Sequence, residues 1–243
     1  MNEDPSTWPA EFIEAKIAEA NANAAKSLAE AAQAHAEARK VAASAEEAEI
    51  ELDREKHDRR KELATDEFHK VYRFTSEVTE SSVKACMKQL AEWSRLDPGC
   101  EMEICFSSPG GAIIHGVALY DFIRQLQTNG HYITTRALGY AASMAGILLQ
   151  VGDHRIMAKE SWLLIHQGSG GAVGSMGEVE DTVAWFQRIR ERIVDIFYDR
   201  SHAEGVNAEK PLGRATIKKK YERKDWWLSS EEALKHGFCD EIA

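Results

Sequence analysis

The pattern of apolar and polar residues divides the chain into two unlike parts. From Ala10 to Glu62 alanine alternates with Glu, Lys, Gln and Arg, and no glycine or proline occurs between Ala10 and Asp97. Alanine and these long polar residues are strong helix formers, so the stretch predicts one long helix. Large apolar residues are sparse in it and regular leucine heptads are absent, which leaves a solvated arm and a loose coiled coil as alternatives.

Beyond this arm, short apolar runs alternate with segments of helical periodicity. The pattern predicts strands at 69–74, 102–106, 132–137 and 162–167, and helices at 83–93, 113–126, 144–151 and 176–202. Such alternation indicates an α/β domain. We therefore expect a charged helical arm over residues 1–66 and a globular domain over residues 67–243.

The segment Gly139–Gly146 carries a serine between residues too small to shield it. Ser143 falls where a predicted strand becomes a predicted helix, so its hydroxyl would be exposed beside the free N–H groups of the helix start. That placement suits a nucleophile whose reaction develops negative charge. A serine before an apolar run is more commonly a simple helix cap, and both interpretations are open.

Two further segments have the chemistry that a nucleophilic serine needs. Gly110 and Gly111 follow a predicted strand, where paired glycines let the backbone N–H groups approach a ligand, or simply connect two elements. His166 ends the strand at 162–167, where it is either structural or a general base within reach of a neighbouring loop. The three segments together would supply an oxyanion hole, a nucleophile and a base.

Composition narrows the class of protein. The net charge of −10 argues against general nucleic-acid binding, and residues 1–66 account for −7 of it. No apolar run reaches the ~18 residues of a membrane helix, and the first residues lack the basic patch of a secretory signal. The four cysteines and nine histidines show no metal-ligand spacing, and no nucleotide-binding glycine loop is present. We expect a cytoplasmic enzyme with reduced thiols, no metal and no cofactor.

These motifs resemble a known family. Ser-Pro-Gly-Gly at 108–111, Gly-Tyr-Ala-Ala-Ser-Met at 139–144, Ile-His-Gln at 165–167 and the tail at 227–242 are together similar to the proteolytic subunit of the Clp protease. The resemblance covers roughly residues 69–243. It implies a ClpP/crotonase-type fold of repeated β-β-α units with a handle helix. It also implies a serine endopeptidase assembled into closed, stacked rings, heptameric in that family, that acts on polypeptides.

The resemblance also implies roles for individual residues. By position, Ser143 is the nucleophile, His166 is the base, and the N–H groups of Gly111 (or Gly110) and Met144 form the oxyanion hole. The glycine-rich stretch at 168–174 and the helix after it correspond to the handle, where a peptide substrate adds as an extended strand.

The third member of the triad departs from the family pattern. Aligning the tail without gaps puts Tyr221 where the family usually has an aspartate, and a phenol cannot stabilise an imidazolium as a carboxylate does. Three alternatives follow: Asp225 takes the role after a local shift, Glu178 or Asp181 takes it, or a serine–histidine dyad operates. We favour Asp225, because its segment is expected to pass behind the histidine.

Several functions are compatible with these features. The favoured one is a self-compartmentalised serine endopeptidase. Since crotonases share the fold and an oxyanion hole, an acyl-CoA hydratase or isomerase is an alternative, as is a non-catalytic assembly protein.

The biological setting has two alternatives. The arm and the divergent acid position resemble the Clp-like proteases of bacteriophage head maturation, in which the arm would bind scaffold or capsid protein and bring the protease into the prohead. The other setting is a host-type subunit that works with an AAA+ unfoldase.

Overall fold

The computed structural model describes residues 9–168, 171–206, 208–223 and 225–243. The first eight residues of the arm and Ser169 and Gly170 of the expected handle loop lie outside these ranges. The chain divides into two compact units, Met1–Leu63 and Ala64–Ala243.

Seven helices and seven strands form in the described residues. The helices are α1 (Ala10–Leu63), α2 (Glu80–Leu96), α3 (Ile113–Thr128), α4 (Met144–Leu149), α5 (Met176–Ser201), α6 (Arg214–Arg223) and α7 (Ser230–His236). The strands are β1 (Val71–Phe74), β2 (Glu101–Ser108), β3 (Tyr132–Ala142), β4 (His154–Met157), β5 (Trp162–Ile165), β6 (Trp226–Ser229) and β7 (Glu241–Ile242). The predicted α/β fold with a long N-terminal helix is confirmed. The sequence pattern did not predict β4, β6, β7, α6 or α7, all of ten residues or fewer.

Helix α1 is one uninterrupted helix of 54 residues without a buried residue. Its side chains form short-range ion pairs along the surface, such as Lys16 with Glu19 and Arg59 with Glu62. Pairs of this spacing add only a few tenths of a kcal/mol each. The helix therefore owes its continuity to its alanine content and to the absence of helix breakers.

The sheet changes neighbours part-way along its longest strand. Its order is β1-β2-β3-β4-β7, and β5 pairs with β3 and β6. The first half of β3 pairs with β4, while Tyr140–Ala142 at its end pairs with β5. All pairings are parallel except the antiparallel pair β5–β6. The carboxyl ends of β2, β3 and β5 thus meet in one region, which is where ligands bind in open α/β sheets.

The core lies between the sheet and the helices packed on it, which are α2 to α4, the second half of α5, α6 and α7. Every residue of α4 is buried, as are Ile104 and Phe106 of β2 and Leu119 and Ile123 of α3. Truncating one such side chain to alanine typically costs about 2–5 kcal/mol. The short helix that follows Ser143 is therefore held firmly from all sides.

A buried ion pair joins β4 to the C-terminal segment. The Arg155 side chain is fully buried and donates to Asp240 Oδ2 at 2.9 Å, to Gln150 Oε1 at 2.9 Å and to the Gly237 carbonyl at 3.0 Å. Burial alone would raise the pKa of Asp240, but the hydrogen bonds and charge of Arg155 outweigh it and hold that pKa below its usual value. This pair is satisfied on both sides, as a buried charge requires.

Helix α5 has two unlike halves. Ile193, Ile196 and Phe197 in its second half are buried, whereas Met176 and Val183 in its first half are exposed. A regular apolar stripe normally packs against the core along its whole length. Here only the second half does so within the chain. None of the described helices is long and apolar enough to cross a membrane.

Candidate active site

Ser143 occupies a strained turn between β3 and α4. Its backbone angles are φ 55° and ψ −121°, and Lys70 is the other non-glycine residue with positive φ in the described part of the chain. Such angles cost of order 1–3 kcal/mol and persist only where the surroundings enforce them. The Ser143 N–H group donates to the Leu164 carbonyl at 2.9 Å, and the buried helix α4 holds the other side. The serine side chain makes no capping hydrogen bond to α4, so the helix-cap interpretation is not supported.

The glycine turn after β2 lies directly against this serine. A Cβ atom on Gly110 would lie 2.5 Å from the Ala142 carbonyl oxygen, 2.7 Å from Ser143 Cβ and 2.8 Å from the Met144 nitrogen. Its φ of 88° is also in the region that favours glycine. Gly110 is thus required for the two turns to come together.

The glycine turn and the start of α4 each have one backbone N–H donor close to the serine that has no partner among the described residues. The Gly110 N–H group donates to Ser108 Oγ at 3.2 Å, so it is already engaged. The Gly111 N–H group makes no hydrogen bond to a described residue. Met144 is the first residue of α4, and the N–H group at that position has no intrahelical partner. Of the three residues predicted for an oxyanion hole, Gly111 and Met144 have free donors, and Gly110 provides the close contact.

His166 and Ser143 line the same cleft. This cleft, called here the Ser143 cleft, has a volume of about 660 Å³, and its walls include Pro109, Gly111 and Met144. His166 directly follows β5, and its side chain is 27% exposed. The cleft therefore brings the predicted nucleophile, the predicted base and both free donors to one surface.

Asp225 lies next to the histidine. Its Oδ1 atom is 3.0 Å from His166 Nδ1. Because a carboxylate only accepts hydrogen bonds, Nδ1 carries the proton and Nε2 keeps its lone pair in the neutral ring. The Asp225 side chain is 64% exposed. An exposed acid is screened by water, so it orients the ring more than it stabilises charge.

The strand register explains this contact across 59 positions of sequence. Strands β5 and β6 are antiparallel, and Ile165 pairs with Trp226. The next residue outward on β5 is His166, and the preceding residue on β6 is Asp225. In an antiparallel pair these two positions face each other.

The other acids considered from the sequence lie elsewhere. Glu178 accepts from the Ser175 N–H group at 2.7 Å and from the Ser175 hydroxyl at 2.9 Å, in the capping box of α5. Asp181 follows one turn later on α5. Within the described residues, Asp225 is the one acid paired with His166.

Tyr221 lines the cleft but cannot act as an acid partner. It is 3% exposed, near the end of α6, and burial raises its pKa to about 12. The phenol is therefore neutral at physiological pH.

Some residues of the cleft were not found from the sequence. Ile113, Gln167, Trp185 and Phe186 all line it. Phe186 belongs to the apolar stripe of α5, which is normally a core signal, so its position in a cleft could not be distinguished from burial. Among the described residues, no group of three or more His, Cys, Asp or Glu side chains is arranged to hold a metal ion.

A serine on a strained strand-to-helix turn is a placement that serine hydrolases use for their nucleophile, and Ser143, which is half-buried, has that placement. The Clp protease family matches residues 58–243. The chain therefore belongs to the Clp protease family, and the predicted enzyme class, a Clp-type peptidase, is confirmed.

Individual relatives agree with this membership. The ATP-dependent Clp protease proteolytic subunit of Bacteroides thetaiotaomicron is 28% identical over 169 residues, 69% of this chain and 71% of the relative. Subunit 2 from Chlamydia pneumoniae is 30% identical over 168 residues, which cover 68% of this chain and 76% of the relative. The subunit from Deinococcus radiodurans is 29% identical over 167 residues, 68% and 76% of the two chains. The particular likeness to phage head-maturation proteases stays a prediction.

Proposed function

We propose that this chain is a serine endopeptidase that uses Ser143, His166 and Asp225. The observation that carries the proposal is the 3.0 Å contact of Asp225 with His166, beside a cleft that also contains a serine at positive φ. Family membership favours a peptidase over the crotonase alternative.

The proposed reaction uses the groups that line the Ser143 cleft. Ser143 Oγ attacks the peptide carbonyl carbon while its proton passes to His166 Nε2. The oxyanion that forms accepts hydrogen bonds from the Gly111 and Met144 N–H groups. His166 then gives its proton to the leaving amine, and an acyl-enzyme remains. Water, deprotonated by the same histidine, attacks the ester and restores the serine.

We infer further that the chain works as a ring. The relatives are named proteolytic subunits, and Met176 and Val183, seven positions apart on one face of the first half of α5, are exposed in the single chain. Large apolar side chains that gather on one exposed helix face mark a contact surface. Stacked heptamers, as the resemblance implies, would cover this face.

The arm supports a recruitment role. The family match begins at residue 58, so nearly all of α1 lies outside the family domain. We propose that α1 binds the protein to be processed, which in the phage setting is scaffold or capsid protein inside the prohead. A host-type subunit that receives substrate from an AAA+ unfoldase would not need such an arm. The arm is thus the feature that favours the phage setting.

A fluorophosphonate probe and a quenched peptide test the catalytic proposal. We expect Ser143→Ala to remove probe labelling and to lower peptide turnover by about 10³-fold or more, while oligomer size is unchanged. Ser81→Ala, which removes an exposed hydroxyl on α2, is the control and should label normally. Labelling that persists in Ser143→Ala, or an unlabelled wild type, would contradict the proposal.

A further inference from the structure

An arginine without hydrogen bonds lies beside the Ser143 cleft. Arg190 is on α5, its side chain is 24% exposed, and its buried Nε atom has no hydrogen-bond partner. Arginine has five N–H donors, and a buried donor without a partner loses its hydration free energy without compensation. Within the described residues no acceptor is in hydrogen-bond range of this guanidinium.

The carboxylates nearest to Arg190 do not satisfy it. Glu222 Oε1 is 3.7 Å from Nη1, and Glu191 Oε1 is 4.0 Å from Nη2. Glu191 is already engaged by Lys218 at 2.5 Å and by Arg214 at 2.8 Å. Arg190 is thus left with two long ion pairs, neither within hydrogen-bond distance, and one of them is to a carboxylate that two other cations already engage.

Arg190 lines a recess that continues the Ser143 cleft. The recess, called here the Arg190 recess, has a volume of about 390 Å³ and is lined by Ile113, Gln167, Gly168, Phe186, Ile189, Arg190 and Tyr221. All of these except Ile189 and Arg190 also line the Ser143 cleft. A peptide in the cleft would therefore extend a side chain into the recess.

Tyr221 leaves the Arg190 guanidinium available to a carboxylate from outside the chain. The phenol lies close enough for the charge of Arg190 to lower its pKa, although burial raises that pKa overall. An aspartate at this position, as in the usual family pattern, would place a carboxylate beside the guanidinium. Tyrosine supplies a neutral hydroxyl donor instead. A carboxylate from outside therefore competes with Glu222, 3.7 Å from Nη1, but not with an acid at position 221.

We propose that the Arg190 recess binds an aspartate or glutamate side chain of the peptide substrate. A carboxylate accepts two parallel hydrogen bonds from a guanidinium, and the apolar walls formed by Ile113, Phe186 and Ile189 strengthen the pair by excluding water. The inference rests on the proposed peptidase function and adds a substrate class to it.

The test compares acidic peptides with their amides. Quenched peptides carry Asp, Asn, Glu or Gln at each position flanking one cleaved bond, and kcat/KM is measured with the full chain. At one position we expect the acid to be preferred over its amide by about 10-fold or more, as charge-assisted pairs allow. Arg190→Gln should bring that ratio to about 1, and Glu222→Gln, which removes the competing carboxylate, should raise it.

Arg188→Gln is the matched control. Arg188 is on the same helix and has the same charge, but it is exposed and does not line the recess. The ratio of kcat/KM for the acidic peptide to that for its amide should be the same in Arg188→Gln as in the wild type. Equal use of acid and amide by the wild type at every position, or an acid preference that survives Arg190→Gln, would overturn the proposal.

A binding measurement separates this inference from the proposed catalysis. Fluorescence anisotropy measures how tightly the same peptides bind to the full-length Ser143→Ala protein, in which no turnover is expected. Tighter binding of the acidic peptide that depends on Arg190 supports the recess even if hydrolysis fails. Equal binding of acid and amide refutes the recess even if hydrolysis succeeds.

Discussion

Asp225 differs from an ordinary triad acid in its exposure. Its side chain is 64% exposed, whereas that of His166 is 27% exposed. Water and salt screen the attraction between an exposed carboxylate and an imidazolium. The acid therefore contributes mainly by holding the ring in the tautomer that leaves Nε2 unprotonated.

We expect Asp225→Asn to lower turnover by roughly 10²- to 10⁴-fold with little change in substrate affinity, because an amide can hold the wrong tautomer. The exposure of Asp225 favours the lower end of this range. The measurement is kcat and KM on a quenched peptide. Glu178→Gln and Asp181→Asn serve as controls and should have mild effects. Small and equal losses in all three variants would indicate a serine–histidine dyad.

At the scale of elements, the two turns after β2 and β3 form the site together. Gly110 brings the β2–α3 turn against Ser143, and its own N–H group is tied to Ser108. Ser108 in turn donates to the Ser76 carbonyl at 2.6 Å. The position of the free Gly111 donor is thus set by a chain of contacts that reaches back to the segment after β1.

Gly110→Ala tests this coupling. The added Cβ would overlap backbone atoms of Ala142 and Met144 in a residue with φ of 88°, so we expect about 2–4 kcal/mol of destabilisation. Turnover should fall by about 10²-fold or more, because both the serine and a donor are displaced. Urea unfolding and peptide kinetics measure the two effects.

Gly130→Ala is the control for backbone strain alone. Gly130 has φ of 93°, but a Cβ atom there would meet nothing within 4 Å. We expect about 1 kcal/mol of destabilisation and unchanged turnover. If both variants retained full activity, the contact between the two turns would not matter for catalysis.

At the scale of the whole molecule, the arm and the globular unit differ in how they are stabilised. Helix α1 has no buried residue, while the globular unit has a continuous apolar core. Asp66 and Glu67 belong energetically to the globular unit, since Asp66 pairs with Arg73 at 2.6 Å and Glu67 accepts from Trp93 Nε1 at 2.7 Å. A truncation should therefore begin at Ala64.

We expect a chain that starts at Ala64 to retain the melting temperature of the globular unit and peptide kcat/KM within about two-fold, because little apolar area is lost. Recruitment of the natural substrate protein should fail. Light scattering, thermal unfolding and a peptide assay measure these outcomes. A chain that starts at Phe68 is the control and should be less stable, because it lacks Asp66 and Glu67. Loss of the oligomer in the Ala64 chain would mean that the arm is part of the ring.

Local sequence was sufficient for the features that depend on neighbouring residues. Alanine content without glycine or proline predicted α1, because helix propensity acts residue by residue. The sequence around Gly139–Gly146 predicted that Ser143 lies where a strand becomes a helix, and it does, between β3 and α4, although the residue is half-buried and not exposed as expected. The roles of Ser143 and His166 in catalysis stay predictions that the proposed experiments decide.

The tertiary structure decided the features that depend on pairing between distant segments. Asp225 meets His166 through the β5–β6 register, and no local pattern states which residues of two strands face each other. The engagement of the Gly110 N–H group by Ser108 left Gly111 as the free donor. In the sequence alone, Arg190 cannot be distinguished from the other charged residues of its helix. Only the tertiary structure shows that Arg190 Nε has no hydrogen-bond partner among the described residues. Whether a buried donor finds an acceptor depends on which segments pack around it.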